Sequence, residues 1–253
     1  TDIILCGKQT KKELLLVVDA IYERLSYIEK LGNCYDADSE LARLNRVAAL
    51  RPQPVSCELY DILAFCMDCH TRTDGFFDIT VHSENYTPST ISGIQLSSEA
   101  HTLFFQHSGI NINLSGFLKG YALESIRELL QLYGIEDALV NMGNSSILAL
   151  GHHPLATGWR IGFEQGFVSN KGEKQEVLLK NECLTVSGND SLERKHIIAP
   201  YSGKLIEGKW MVAVVTESGA VGEILSTAWF AADTYQQKLL EMEFHPRLIL
   251  KLC

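Results

Sequence analysis

The apolar pattern of this chain has helical spacing up to Gly134 and mostly strand-like spacing after it. Leu14, Val17, Val18, Ile21, Leu25 and Ile28 lie three or four apart, one helix face, with Thr10 and Glu13 spaced as a capping box in front and Gly32 as the stop. A second helix is predicted from the N-cap Ser56 through Leu59, Ile62, Leu63, Cys66 and Met67 to about Thr71. A third starts near Phe117, carries Tyr121, Ala122, Ile126, Leu129, Leu130 and Tyr133, and stops at Gly134. Residues 75–81 read as a turn entering a short strand, and the segment ending at Ser115-Gly116 as a strand feeding the third helix. Residues 138–142 and 146–150 flank Gly143-Asn144, a hairpin signal. Further strands are expected at 159–163, 177–179, 183–187, 196–198, 210–215 and 247–252, with a last helix over 219–232. Helices and strands mix without strict βαβ alternation, so the expected class is α+β, with mixed or antiparallel sheets and packed helices.

Composition narrows the function. The 253 residues carry 22 Lys+Arg against 31 Asp+Glu, a net charge of −9. A surface that reads a nucleic-acid backbone must be basic, so no nucleic-acid partner is expected. An anionic ligand would need a metal or local amides to offset the repulsion. No apolar run reaches the ~18–20 residues of a membrane span. The 7 cysteines are odd in number and scattered, which reads as mostly free thiols and favours a reducing, cytoplasmic setting. The first residue is Thr1, which reads as a trimmed or processed form, with a removed signal or lipid anchor left open. Cys66-Met67-Asp68-Cys69-His70 matches the CxxCH pattern of covalent haem attachment. Cys66 also continues the apolar stripe of the second helix, so the reading adopted is a small core side chain with His70 at a helix end, and no haem.

Three segments carry chemistry. Around Ser115-Gly116-Phe117-Leu118-Lys119, a small-residue turn opens a helix with a lysine in its first turn; free N–H groups, the dipole end and Lys119 suit an anion. Glu223 and Thr227 stand four apart on a helix and share a face, giving a carboxylate and a hydroxyl suited to Mg²⁺. His196 precedes a Pro-x-x-Gly turn, where it either meets a ligand or satisfies the turn. Each segment alone also fits an ordinary structural role.

Taken in order, CYDADSELARLN, FFDITV, INLSGFLKGYALE, ALVNMGNSSILALG, GWRIGF, TVSGN, HIIAPYSG and GEILSTAWF resemble the FAD:protein FMN transferases, the ApbE-like flavin transferases, from about Cys34 to Ala231. The resemblance implies one T-fold-like ApbE domain over residues 1–253, with the family's opening Met-Gly-Thr strand missing before Thr1 and the connection over residues 83–92 shortened. It implies FAD as substrate, Mg²⁺ as cofactor, and FMN transfer to a threonine of an acceptor flavoprotein with release of AMP. The metal ligands carry over to Gly116, Glu223 and Thr227, and catalytic roles to Lys119, Glu223 and His196. Flavin contacts carry over to Tyr35, Asp78, Thr80, Lys119, Glu124, Gly143, Ser187 and His196.

The departures bear on chemistry. Asn113, Glu124, Ala199 and Glu223 stand where the family usually has Asp, Gly143-Asn144-Ser145 replaces a Gly-Gly-Asp turn, and Ser115-Gly116 a glycine pair. They motivate two alternatives: a non-catalytic or weakened FAD-binding homologue, and a pyrophosphatase that hydrolyses FAD to FMN and AMP. The acceptor string Ser/Thr-Gly-Ala-Thr is expected on a partner, because Ser218-Gly219-Ala220-Val221 lacks the final threonine.

Overall fold

The computed structural model describes residues 1–163, 176–189 and 197–252. Its elements run β1 (Asp2–Cys6), α1 (Lys11–Gly32), α2 (Glu40–Val47), β2 (Gln53–Pro54), α3 (Cys57–Arg72), β3 (Ile94–Ser97), β4 (Thr102–Phe105) and α4 (Leu118–Leu132). They continue β5 (Asp137–Met142), β6 (Ser146–Leu150), β7 (Trp159–Gly162), β8 (Glu176–Leu179), β9 (Glu182–Asn189), β10 (Ile198–Ala199), β11 (Lys204–Leu205) and β12 (Trp210–Thr216). Then come α5 (Gly219–Ala231), α6 (Thr234–Phe244) and β13 (Leu248–Leu252). The class is α+β, as the mixed pattern implied. No helix among the described residues is long and apolar enough to cross a membrane.

The capping signals hold. Thr10 and Glu13 form the capping box of α1, and the Ser56 hydroxyl accepts from Leu59 N at the start of α3. Gly143 and Asn144 take left-handed φ of 64° and 59° in the three-residue turn that joins Met142 of β5 to Ser146 of β6. Cys66 and Cys69 are fully buried, and burial pushes the Cys69 thiol up to about 11 and the Cys66 thiol well above its ordinary range.

The main sheet has six strands in the order β1-β5-β6-β9-β12-β13, every neighbouring pair antiparallel. Side chains alternate across it. Ala138, Val140, Leu148, Leu150 and Cys183 pack with Val17 and Ile21 of α1 and Ile126 and Leu130 of α4. Val212 and Val214 pack with Ile224, Leu225 and Ala228 of α5. Ile147, Ala149, Leu184, Ala213 and Val215 face the other way, against Trp159, Val177 and Leu179 of the β7–β8 ribbon. A smaller sheet, β2-β4-β3, lies with α2 and α3 in the largest apolar cluster.

Two expected strands are absent. Residues 75–81 are turns, because Asp78 Oδ1 accepts Thr80 N at 2.7 Å and Thr80 Oγ1 at 2.6 Å, closing a local loop that competes with extended pairing. The segment before Ser115 forms no strand. The Asn45 side chain takes both backbone groups of Ile112, donating to its carbonyl at 2.8 Å and accepting its N–H at 2.9 Å. The helices α2 and α6, the small sheet and β1 lie outside the elements read from the sequence. The strand expected at 196–198 begins at Ile198, and residue 196 lies outside the described residues.

Candidate active site

Strand alternation builds one wall. On β6, Ser146 shares the helix-facing side with Leu148 and Leu150; on β9, Thr185 and Ser187 share it with Cys183. Ser146 is register-paired with Thr185, so hydroxyls gather at one end of an otherwise apolar face. The helix laid across that end is α5. It fits because Gly222 has no side chain, since a Cβ there would stand 2.7 Å from Thr216 Oγ1 and 2.8 Å from Thr185 Oγ1.

Glu223, Ser226 and Thr227 of α5 meet those hydroxyls. Glu223 is only 3% exposed, and the buried Ser146 hydroxyl donates to its Oε1. Ser187 Oγ lies 2.8 Å from Ser226 Oγ and 3.1 Å from Thr227 Oγ1. Burial raises the Glu223 carboxyl above its ordinary range, opposed by the Lys119 charge and the Ser146 hydrogen bond.

The second wall is the start of α4. Its N-cap, Phe117, supplies no side-chain cap, and the carbonyl of Leu114 accepts the N–H groups of Phe117 and Leu118, each at 2.9 Å. Lys119 in the first turn donates to Ser145 Oγ and stands 4.0 Å from Glu223 Oε1. Gly116 faces Thr227: a Cβ there would come within 3.7 Å of Thr227 Oγ1. The loop before it is tied outward. Asn113 Oδ1 accepts Ser115 N at 2.8 Å, its Nδ2 donates to Tyr35 Oη at 2.9 Å, and its backbone N donates to Ile79 O at 2.8 Å.

Lys119, Glu223, Gly116, Thr227 and Ser187 therefore gather where α4, α5, β9 and the β5–β6 turn meet; Gly143 lies in that turn, with nothing within 4 Å of the place a Cβ would take. Tyr35 bonds Asn113 directly, and Asp78 and Thr80 flank Ile79, whose carbonyl accepts the Asn113 N–H. Asp78 is held on all sides, since Tyr86 Oη donates to its Oδ2 at 2.9 Å and His70 Nδ1 lies 3.8 Å from the same atom. Burial first, then the Asp78 charge and hydrogen bond, drive the Tyr86 phenol far above its usual range. Glu124 stands apart from the cluster: its Oε1 accepts Gly219 N at the start of α5 and its Oε2 lies 3.6 Å from Arg127 Nε. Ala199 sits in β10, opposite Lys204. Tyr201 in the following turn donates to Asp74 O at 2.8 Å, and its ring lies 4.8 Å from that of Phe76. His196 lies outside the described residues.

The ApbE family model matches residues 3–247. The chain belongs to the ApbE family. Among curated relatives of this ApbE-family chain, the FAD:protein FMN transferase of Vibrio cholerae is 24% identical over 250 residues, covering 87% of this chain and 74% of the relative. That of Chlamydia muridarum is 25% identical over 268 residues, covering 92% and 78%. The fold matches the flavin transferase ApbE from Vibrio cholerae with a TM-score of 0.82 at 20% identity, over 98% of this chain and 88% of that one. It matches the Thermotoga maritima ApbE protein with a TM-score of 0.81 at 21% identity, over 99% and 90%.

The donors converging here suit a divalent magnesium ion. The Glu223 carboxylate and the Thr227 hydroxyl are hard oxygen donors, and Gly116 lies beside the Thr227 hydroxyl. Among the described residues no group of three His, Cys, Asp or Glu gathers to hold a metal, so any ion here relies on the one carboxylate of Glu223 with neutral oxygens.

Three residues of this region were not singled out by sequence reasoning: Asn45, Tyr86 and Ser146. Asn45 ends the SELARLN segment, and a polar residue at the close of an amphipathic helix reads as solvated. Ser146 left a clearer signal, a polar residue in register with the buried Leu148 and Leu150.

Proposed function

We propose that the chain, acting as one domain, transfers the FMN half of FAD to a threonine hydroxyl on an acceptor flavoprotein and releases AMP. One observation supports this most: Lys119, Glu223, Gly116 and Thr227, separate in sequence, are drawn to one point by the α4–α5 packing. Relatives in the family carry the name FAD:protein FMN transferase.

In the reaction the acceptor hydroxyl oxygen forms a bond to the flavin-side phosphorus. The bond from that phosphorus to the bridging oxygen breaks, the hydroxyl proton passes to solvent water, and AMP leaves with the bridging oxygen. Such a displacement asks mainly for positioning and charge neutralisation. Glu223, Thr227 and the Gly116 carbonyl would hold Mg²⁺, which when bound supplies positive charge to the pyrophosphate oxygens. Lys119 and the N-terminal end of α4 bind the same phosphates. Ser187 orients the Thr227 hydroxyl. Tyr35, Asp78 and Thr80 shape the far side, where the flavin would lie. The acidic chain, at −9, makes this local positive charge a requirement for an anionic dinucleotide.

The test incubates the protein with FAD and Mg²⁺, with and without a flavoprotein bearing a Ser/Thr-Gly-Ala-Thr motif, and follows AMP. AMP only in the presence of the acceptor supports transfer. AMP without it indicates FAD hydrolysis, and FAD binding with no AMP indicates a binding protein.

A further inference from the structure

The β5–β6 turn carries two consecutive hydroxyls to which the reaction above gives no part. Ser145 accepts from Lys119 Nζ, and Ser146 donates to Glu223 Oε1. The ammonium and the carboxylate stay 4.0 Å apart, so each is held more closely by its own serine than by the other. Ser146 is fully buried and fixed in the sheet by its pairing with Met142 and Thr185. The lysine side chain remains 39% exposed and an ammonium has three protons, so Ser145 leaves donors free toward solvent.

We infer that Ser145 and Ser146 are positioning residues that set the phosphate-facing lysine and the metal-holding carboxylate from one hairpin, each through its own closer hydrogen bond, with the two hydroxyls 3.5 Å apart. This rests on the reading of Glu223 as a magnesium ligand. The Ser146 hydroxyl fixes the rotamer in which Glu223 meets a cation. Ser145 keeps Lys119 from collapsing onto Glu223 and closing the same space. Two neighbouring substitutions therefore have separable effects. Loss of the Ser146 hydroxyl acts on the metal, and loss of the Ser145 hydroxyl acts on the dinucleotide.

The experiment uses the full chain with Mn²⁺ alone, read by the electron paramagnetic resonance signal of free Mn²⁺, and separately FAD binding by flavin fluorescence. Ser146→Ala is expected to weaken Mn²⁺ about tenfold or more, the usual cost of removing a group that orients a metal ligand. Ser146→Thr, which keeps the hydroxyl, retains Mn²⁺ affinity within a few-fold. Ser145→Ala leaves Mn²⁺ affinity unchanged and weakens FAD. Wild-type Mn²⁺ affinity in Ser146→Ala, or equal loss of both ligands in the two alanine variants, overturns the assignment. A wild-type chain that takes up no Mn²⁺ overturns the magnesium reading itself, and the positioning roles with it.

Discussion

Gly120 of α4 and Gly219 of α5 meet backbone to backbone: a Cβ on Gly120 would stand 2.2 Å from the Gly219 carbonyl oxygen. The two helices cross there because neither residue has a side chain. That approach sets the distance between Lys119, beside one glycine, and Glu223, one turn beyond the other. Gly120→Ala must push backbone against backbone. It is expected to cost ~1–3 kcal/mol in denaturant unfolding. It should also weaken FAD binding more than Mn²⁺ binding, because Lys119 moves with α4.

Glu223→Gln should trade function for stability. Burial raises the Glu223 carboxyl, so the folded state holds its proton more tightly than the unfolded chain. A raised carboxyl contributes stability below the unfolded glutamate range, about pH 4.3, and loses it as pH rises through the folded value. At neutral pH the charged form is therefore a net burden. The glutamine variant should melt higher than the wild type at pH 7, with the difference shrinking toward pH 4, while Mn²⁺ binding is lost. Calorimetry across that range checks the sign, and a lower melting point at pH 7 refutes it.

Asn45→Ala removes both bonds to Ile112, leaving a buried N–H and carbonyl unpaired. The expected cost is about 2 kcal/mol. Because Asn45 fixes the loop that carries Asn113 and Gly116, FAD affinity should fall with stability.

Thr227→Val removes one hydroxyl from a face where Ser187 keeps Ser226 at 2.8 Å. Stability should change by about 1 kcal/mol or less. The Mg²⁺ concentration that half-saturates turnover should rise at least about tenfold. Unchanged metal dependence would remove Thr227 from the ion.

Much of this was legible because local chemistry dictated it. Thr10, Ser56 and the Gly143-Asn144 pair mark element ends whatever surrounds them, and the four-residue spacing of Glu223 and Thr227 already places them on one helix face. Other parts depend on partners distant in sequence. The segment before Ser115 reads as a strand, but the backbone groups of its Ile112 go to Asn45, 67 residues away. Asp78 sits in a strand-like run of apolar residues, yet its carboxylate turns back on Thr80. The helix α6 has a weakly segregated face, with only Leu240 and Phe244 buried, so periodicity gave it little signal. Ser146 gained its role only when the sheet brought it under Glu223 of α5, and Ser145 when α4 set Lys119 beside it.

The most direct test of the account is the intact mass of an acceptor flavoprotein after incubation with this chain, FAD and Mg²⁺. The account predicts a gain of one phosphodiester-linked FMN, mapped to the motif threonine, absent without Mg²⁺ and absent with Glu223→Gln. An acceptor whose mass stays unchanged while FAD is bound or hydrolysed would contradict it.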